Sequence, residues 1–466
     1  MVRTLESAAA EEAGLNRTIL DDMVRALERS PAELRGLVLV RHGKAVYRRF
    51  WEPYGEQDPV WVYSLSKSFC STAVGFAVQE GLLRTGERVL SFFPEYDSAA
   101  TTIDENCRTM RVEDLLTMRT GHETDATAAM IKAPDWAEAF FTLPVKYQPG
   151  THFVYNSGAT YMLSAIVQKR CGLPVAEYLK TRLFDPLGFA PVFWDRSPQG
   201  VNTGGWGFMV TLEDIAKFGL LYLNGGKWQG RQILDEAWIN EASLPHADNS
   251  ITGGSADWSR GYGYQFWRSR YGFRGDGAFG QYCLILPEFD AVLALCSEAE
   301  NMQELLDIVW DHLPSACSTA NSETEGRVEN REFRLSGENG GFVSAGLNFY
   351  PDRLSLTLTR GTPEGGTVKL EAGRFGWLET ETRFPLEGYS FIPVFSPAGG
   401  GTRISASFFW KDRETLEIRL VYRTSPHREL ITLKLRGDSL DILYAPNTAV
   451  RSMGRPALEF RGVAKA

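Results

Sequence analysis

Hydrophobic positions along this chain follow two rhythms. Up to about residue 315, strand-like and helix-like patterns are mixed. The segment GLVLVRHGKAVYRRFW (36–51) sets two apolar-rich strands around Arg41-His42-Gly43-Lys44, with Gly43 free to adopt positive φ, and predicts a hairpin. Far downstream, GQYCLILPEFDAVLALC (280–296) reads as strand, turn at Pro287–Asp290, strand. GYGYQFWRSRYGFRGDG, just before it, supplies a further strand.

Between these sheet fragments the spacing is helical. VEDLLTMRTG starts near a helix and stops at Gly121; GATYMLSAIVQKRCG has apolar residues at helical spacing and a stop at Gly172. TLEDIAKFGLLYLNGG opens with the capping pattern Thr211-x-x-Asp214 and closes on Gly225-Gly226. NMQELLDIVWDHL, after the last hairpin, is amphipathic with an acidic start. The expectation is one sheet assembled from both ends of this region, with a helical insertion between them.

The rhythm then changes. CSTANSETEGRVENR (317–331) is polar, and beyond it period-two segments dominate: Leu354/Leu356/Leu358, Leu416/Ile418/Leu420/Tyr422, Ile431/Leu433/Leu435 and Leu440/Ile442/Tyr444. Short alternating strands with one wet face predict an antiparallel barrel or sandwich. The division expected is a first domain over 1–318, a polar linker over 319–331 and an all-β domain over 332–466.

Composition narrows the function classes. With 43% hydrophobic and 23% charged residues over 466 positions, the chain is globular and long enough for more than one core. A net charge of −9 disfavours a general nucleic-acid binder, since neutralising phosphates needs a basic face. The six cysteines carry no C-x-x-C pair and the six histidines no metal spacing, so neither a metal nor another cofactor is expected. No apolar run approaches the roughly 20 residues that span a bilayer, and MVRTLESAAAEEAGLN lacks an apolar signal core. A cytoplasmic protein without membrane partners is the expectation.

Candidate chemistry sits in YSLSKSFCSTAVGFAVQEGLL (63–83), where Ser64 and Lys67 head an otherwise apolar helical run. Side chains three apart share one helix face. A serine hydroxyl is a weak nucleophile that a neighbouring base activates, and a lysine supplies that base if its pKa is depressed. A helix N-terminus adds free N–H groups suited to an oxyanion. The plainer reading of the tetrapeptide is an N-cap serine with a lysine snorkelling to water.

Its company favours chemistry. Tyr155-Asn156-Ser157 precedes the helix of GATYMLSAIVQ, and Gly275-Asp276-Gly277 lies on a strand before the second hairpin. In that order the set resembles the serine β-lactamase and penicillin-binding-protein-like superfamily, in particular its class C β-lactamase-like esterases and amidases. S-x-x-K falls on Ser64–Lys67, the Y-x-N or Y-x-S motif on Tyr155 and Ser157, and the third motif on Gly275, Asp276 and Gly277. EDLLTMRTG, GGWGFMVTLEDIAKFGLLYLNGGKW and GQYCLILPEFD are similar to stretches of such enzymes, over about residues 30–315.

The resemblance implies an α+β fold, an antiparallel sheet with flanking helices and an inserted helical subdomain, followed here by a small barrel-like β domain. It implies an acyl-enzyme on Ser64, with Lys67 and Tyr155 sharing its proton and Ser157 orienting Lys67 by a hydrogen bond. Tyr155 as a phenolate would need the Lys67 cation beside it. The oxyanion would rest on the backbone N–H groups of Ser64 and Ala278. The bland readings are an interfacial aromatic for Tyr155 and a helix cap for Ser157. His152, without a G-x-S-x-G elbow, reads as structural, and Trp206 and Trp267 as core or cleft-rim packing.

One departure matters. The family's third motif ordinarily carries Lys or His, then Thr or Ser, then Gly, where this chain has Gly-Asp-Gly with Arg274 nearby. An acid facing the cleft would repel an anionic substrate and tolerate a neutral or amine-bearing one. The plainer alternative has Asp276 turned outward and paired with Arg274. The expected function is hydrolysis of a small ester or amide; the other readings are a β-lactamase or D-alanyl peptidase, and a non-catalytic binding protein that kept the fold. Assembly into a homo-oligomer is left open.

Overall fold

The computed structural model describes residues 4–97, 102–250, 254–318, 322–336, 342–350, 353–361, 367–374, 378–380, 404–410, 414–422, 428–445 and 458–464. The chain divides into two compact units, residues 1–9 with 23–310, and residues 10–22 with 311–466. Residues 10–22, which patterning had assigned to the first domain, therefore belong to the second unit, and the second unit begins inside the last helix of the first region.

In the first unit, β1 (Glu33–Arg41) and β2 (Lys44–Phe50) form the expected hairpin, turned by His42 and Gly43 at φ 51° and 77°. A short strand, β3 (Pro59–Trp61), leads into a helix, α1 (Ser66–Gln79). A second helix, α2 (Ser157–Cys171), stops at Gly172, whose φ of 75° is the left-handed conformation glycine adopts without a Cβ penalty. Next come β4 (Phe193–Trp194), β5 (Phe208–Thr211) and α3 (Leu212–Leu223), the last capped by Thr211, whose side chain accepts from Asp214 N. The region closes with β6 (Trp267–Arg268), β7 (Phe273–Gly277), β8 (Gln281–Leu286), β9 (Ala291–Glu298) and α4 (Met302–Ser318).

The main sheet runs β2-β1-β9-β8-β7-β6, so the N-terminal hairpin joins the C-terminal strands directly, Val38 facing Ala294 and Leu39 facing Leu293. All described pairings in it are antiparallel. A small sheet, β3-β5-β4, lies apart from it, built from strands too short to show a period in sequence.

Helix α1 is buried on every side from Ser66 to Ala77. That requires its polar residues to find partners inside. Ser68 Oγ donates to Gln265 O, Ser71 Oγ to Tyr264 O and Thr72 Oγ1 to Ser68 O, each at 2.8 Å. The bonds to Gln265 and Tyr264 fix the rotation of the helix about its axis and thereby aim its first turn.

In the second unit the period-two segments form the barrel-like domain. Nine strands close into a ring: Glu332–Ser336, Phe342–Phe349, Arg353–Arg360, Thr367–Gly373, Ile404–Trp410, Thr415–Tyr422, Arg428–Arg436, Ser439–Ala445 and Leu458–Ala464. Closure is made by a parallel contact of Gly373 with Ser407. Leu354, Leu356, Leu358, Leu416, Ile418, Leu420, Ile431, Leu433, Leu435, Leu440, Ile442 and Tyr444 all point into its core. Part of the stretch read as linker is a helix, Ser322–Val328. Its Glu325 receives Arg374 in a two-pronged ion pair at 2.8 and 2.9 Å and Trp410 Nε1 at 2.8 Å, which ties it to the barrel. Residues 319–321 of that stretch lie outside the described residues.

Candidate active site

Ser64 does not sit within the α-helix. It lies in a single 3₁₀ turn, Tyr63–Leu65, that enters α1, and Tyr63 takes a φ of 47°. The turn leaves Ser64 half-buried while Lys67, one helical turn on, is 1% exposed. Lys67 Nζ lies 2.9 Å from Ser64 Oγ and donates to Gly205 O, also at 2.9 Å. The snorkelling reading fails on this burial. Withdrawal from water disfavours the ammonium and brings the Lys67 pKa from 10.5 down to about 7; the charges of Asp125 and Asp276 pull the other way.

Gly205 belongs to the phrase GGWGF, and a side chain there would crowd Ser157 and reach within 3.5 Å of Lys67 Nζ. The hydrogen bond expected from Ser157 to Lys67 is not made among the described residues. The Gly205 carbonyl takes that place, and Ser157 instead opens α2, its N–H donating to Asp125 Oδ1 at 3.1 Å. Asn156 is the cap of α2: it is buried, and its Oδ1 accepts from Ala159 N and Ala126 N. Tyr155 is thus held by the residue that starts the helix after it.

Tyr155 is half-buried, its ring stacked on Trp267 at 5.3 Å and edge-on to Tyr262 at 6.2 Å. Lys67 Nζ stands 4.7 Å from its ring centroid. Burial and the negative charge of Asp276 push the Tyr155 hydroxyl well above 10, against a smaller opposing effect of its hydrogen bond to Ser64. Between the two groups, burial favours the protonated tyrosine and the neutral lysine. Trp206, by contrast, stacks on Trp136 at 5.9 Å, and His152 stacks on Tyr147 at 4.2 Å.

Strand β7 runs beside the nucleophile with its side chains alternating. Gly275 and Gly277 face the serine turn and α1. A Cβ on Gly275 would lie 2.4 Å from Leu65, and one on Gly277 would lie 2.0 Å from Val62 O and 3.1 Å from Ser64 N. Arg274 and Asp276 take the other face, both buried, with Nε to Oδ2 at 2.8 Å. Arg274 also donates to Asp257 O, Arg268 O and Ser269 Oγ. Asp276 accordingly pairs with Arg274, but inward rather than outward. Its burial raises its pKa, opposed by Arg274, by Lys67 and by a hydrogen bond from Trp267. With the arginine attached, the pair presents little net charge to a substrate, so the repulsion expected of a lone acid is offset. Ala278, following this strand, is exposed.

Two features escaped the sequence. The Gly205 carbonyl is backbone, which no side-chain pattern announces. Asp125 is exposed, and no spacing marked it, yet it caps Ser157 and Thr127 and is the first of the charges acting on Lys67. Among the described residues no group of three or more His, Cys, Asp or Glu is placed to hold a metal ion. None of the described helices is long and apolar enough to cross a membrane.

The chain is similar to several known proteins. The chain is 26% identical over 302 residues to the 6-aminohexanoate-dimer hydrolase of Paenarthrobacter ureafaciens, covering 60% of this chain and 76% of that one. It is 25% identical over 277 residues to the lovastatin esterase of Penicillium rubens, covering 55% of this chain and 58% of that one. Among solved structures, the octameric penicillin-binding protein homologue from Pyrococcus abyssi matches with a TM-score of 0.52 at 14% identity, covering 95% of this chain and 99% of that one, a likeness of fold. The family model described as Beta-lactamase matches residues 24–310, well over half of the sequence, and the chain belongs to that family.

Proposed function

We propose that this protein is a serine hydrolase that cleaves a small ester or amide through an acyl-enzyme on Ser64. The observation that carries the reading is the contact of Lys67 Nζ with Ser64 Oγ at 2.9 Å, made by a lysine whose pKa burial has lowered to about 7. An amine that is neutral for much of its time near pH 7 is a base, and it touches the one hydroxyl it has to activate.

In this mechanism Lys67 takes the Ser64 proton as Oγ attacks the carbonyl carbon. The negative charge that develops on the carbonyl oxygen rests on the N–H groups of Ser64 and Ala278. As the tetrahedral adduct collapses, the Tyr155 hydroxyl gives its proton to the leaving oxygen or nitrogen and is reprotonated from the Lys67 ammonium. In the second half the same two groups act on water, which takes a path opposite to that of the leaving group. Asp276 and Arg274 hold the field around Lys67 and Tyr155 without touching the reacting atoms.

The names of two relatives, a 6-aminohexanoate-dimer hydrolase and a lovastatin esterase, fit this chemistry. A β-lactamase or D-alanyl peptidase is disfavoured, since the third motif offers Asp276 in place of a free cation for a substrate carboxylate. A binding protein that kept the fold would have little use for a buried lysine held against a serine.

The test is intact-mass analysis after exposure to a fluorophosphonate probe. One adduct on the wild type and none on Ser64→Ala is the expected result; a folded wild type that takes no adduct overturns the reading.

A further inference from the structure

The nucleophile turn and the end of β7 each carry an oddity of the same kind. Eight non-glycine residues among those described have positive φ, and two of them are Tyr63 at 47° and Phe279 at 68°. Bulky side chains rarely occupy this region, and where they do, the surrounding structure holds them there for a reason. Tyr63 immediately precedes Ser64, and Phe279 immediately follows Ala278. Their rings meet edge to face at 5.2 Å. Yet neither is buried: Tyr63 is 37% and Phe279 43% exposed, so core packing does not explain the strain.

Two further exposed aromatics lie on the small sheet. Trp61 on β3 and Phe193 on β4 both pair with Met209 on β5, which puts the three side chains on one face of the small sheet. Trp61 is 50% and Phe193 56% exposed. The exposed large aromatics of this unit among the described residues are thus Trp61, Tyr63, Phe193 and Phe279. An exposed apolar patch of this kind marks a binding surface.

We propose that the Tyr63–Phe279 pair is the subsite for an apolar acyl group, and that the enzyme selects acyl chains several carbons long. This rests on the acyl-enzyme reading above. The side of the reaction follows from the proton donor. The leaving group has to reach the Tyr155 hydroxyl, whose surroundings are Trp267 and Tyr262, whereas Tyr63 and Phe279 flank the two residues whose amides hold the oxyanion. The chain that stays attached to Ser64 is the one left to lie against the pair, and Trp61, two residues before Tyr63, extends the surface for a longer one.

The experiment compares p-nitrophenyl acetate with the hexanoate, one leaving group and two acyl lengths, in the wild type, Phe279→Leu and Phe279→Asn. Asparagine tolerates positive φ but removes the apolar ring. The wild-type kcat/KM ratio of hexanoate to acetate is expected to exceed about ten, because each buried methylene is worth roughly fourfold and the exposed pair covers part of the chain. Phe279→Leu keeps most of that ratio and Phe279→Asn brings it close to one. A ratio unchanged in Phe279→Asn overturns the subsite, and so does a wild-type ratio near one. Each preparation is titrated with the fluorophosphonate first: a labelled wild type with an unchanged ratio overturns the acyl subsite alone, and an unlabelled one overturns the hydrolase reading with it.

Discussion

Lys67 Nζ makes two contacts of equal length, 2.9 Å to Ser64 Oγ and 2.9 Å to Gly205 O. The carbonyl accepts one proton of the amine and points the nitrogen lone pair, once the amine is neutral, at the serine. In the proposed mechanism Lys67 acts as a base only when deprotonated. The acidic limb of kcat/KM is expected near the lysine's value of about 7, with activity rising as pH increases through it. Asp125 and Asp276 raise that value. Asp125→Asn, which retains an oxygen to cap Ser157, shifts the limb to lower pH. A pH profile of p-nitrophenyl ester hydrolysis in the two proteins checks the direction, and a limb that stays in place excludes Asp125 from the field at Lys67.

The same lysine carries a cost in stability whose pH dependence has a definite sign. Its pKa is lowered from 10.5 to about 7 on folding, so between these values the unfolded chain binds more protons than the folded one. Stability contributed at this site therefore increases as pH rises from 7 toward 10. Lys67→Met lacks that dependence. Urea melts at pH 7 and pH 9.5 should show wild type gaining on Lys67→Met at the higher pH, while the variant loses fluorophosphonate labelling at both.

Tyr155 holds its proton because burial and Asp276 penalise the phenolate. A donor of this kind matters in proportion to the basicity of the leaving group. Tyr155→Phe is expected to lower kcat/KM for an anilide by about a hundredfold or more, the usual worth of a positioned acid. For a p-nitrophenyl ester, whose leaving group departs unprotonated, the loss in acylation should be smaller. Equal losses on both substrates would make the hydroxyl a base or a positioning group in place of an acid.

Arg274 and Asp276 form an ion pair with side chains 0% and 5% exposed. Such a pair depends on both members. Arg274→Met leaves an uncompensated buried carboxylate and is expected to cost about 3–5 kcal/mol in urea unfolding, whereas Arg274→Met with Asp276→Leu recovers much of it. A double variant as unstable as the single one would assign the loss to the arginine's other bonds, to Asp257 O, Arg268 O and Ser269 Oγ.

What the sequence made legible was whatever repeats with a period or carries a reactive side chain. Leu416, Ile418 and Leu420 alternate because one face of their strand is dry, and that alternation is visible without a structure. Ser64, Lys67 and Tyr155 were found as residue types in a familiar order, and the structure brings them together. The face of β7 was not legible: Arg-Gly-Asp-Gly alternates charge with glycine, but charged residues on a strand ordinarily mark the wet face, and here they are the buried one, with Asp276 paired to Arg274 and Gly277 against Ser64. The partner of Lys67 was missed because it is a carbonyl more than a hundred residues away. The strands β3, β4 and β5 were missed because two to four residues are too few to show a period.

Gly277 offers the most local test of the oxyanion site. Its backbone approaches the serine turn so closely that a Cβ would stand 2.0 Å from Val62 O and 3.1 Å from Ser64 N, against an ordinary limit near 3.4 Å. A methyl group there cannot be accommodated by rotating a side chain, since what it meets is backbone. Either β7 or the 3₁₀ turn moves, and in both cases the amides of Ser64 and Ala278 proposed to hold the oxyanion no longer converge. Losing one oxyanion donor costs about a hundred- to a thousandfold in kcat. Gly277→Ala is therefore expected to fall by at least that much on ester and amide substrates alike, with KM changed far less. Gly277 is the last residue of β7, and the fold is expected to survive, which circular dichroism and a urea melt would verify. A folded Gly277→Ala with near wild-type kcat would remove Ser64 N from the oxyanion site and require another donor in its place.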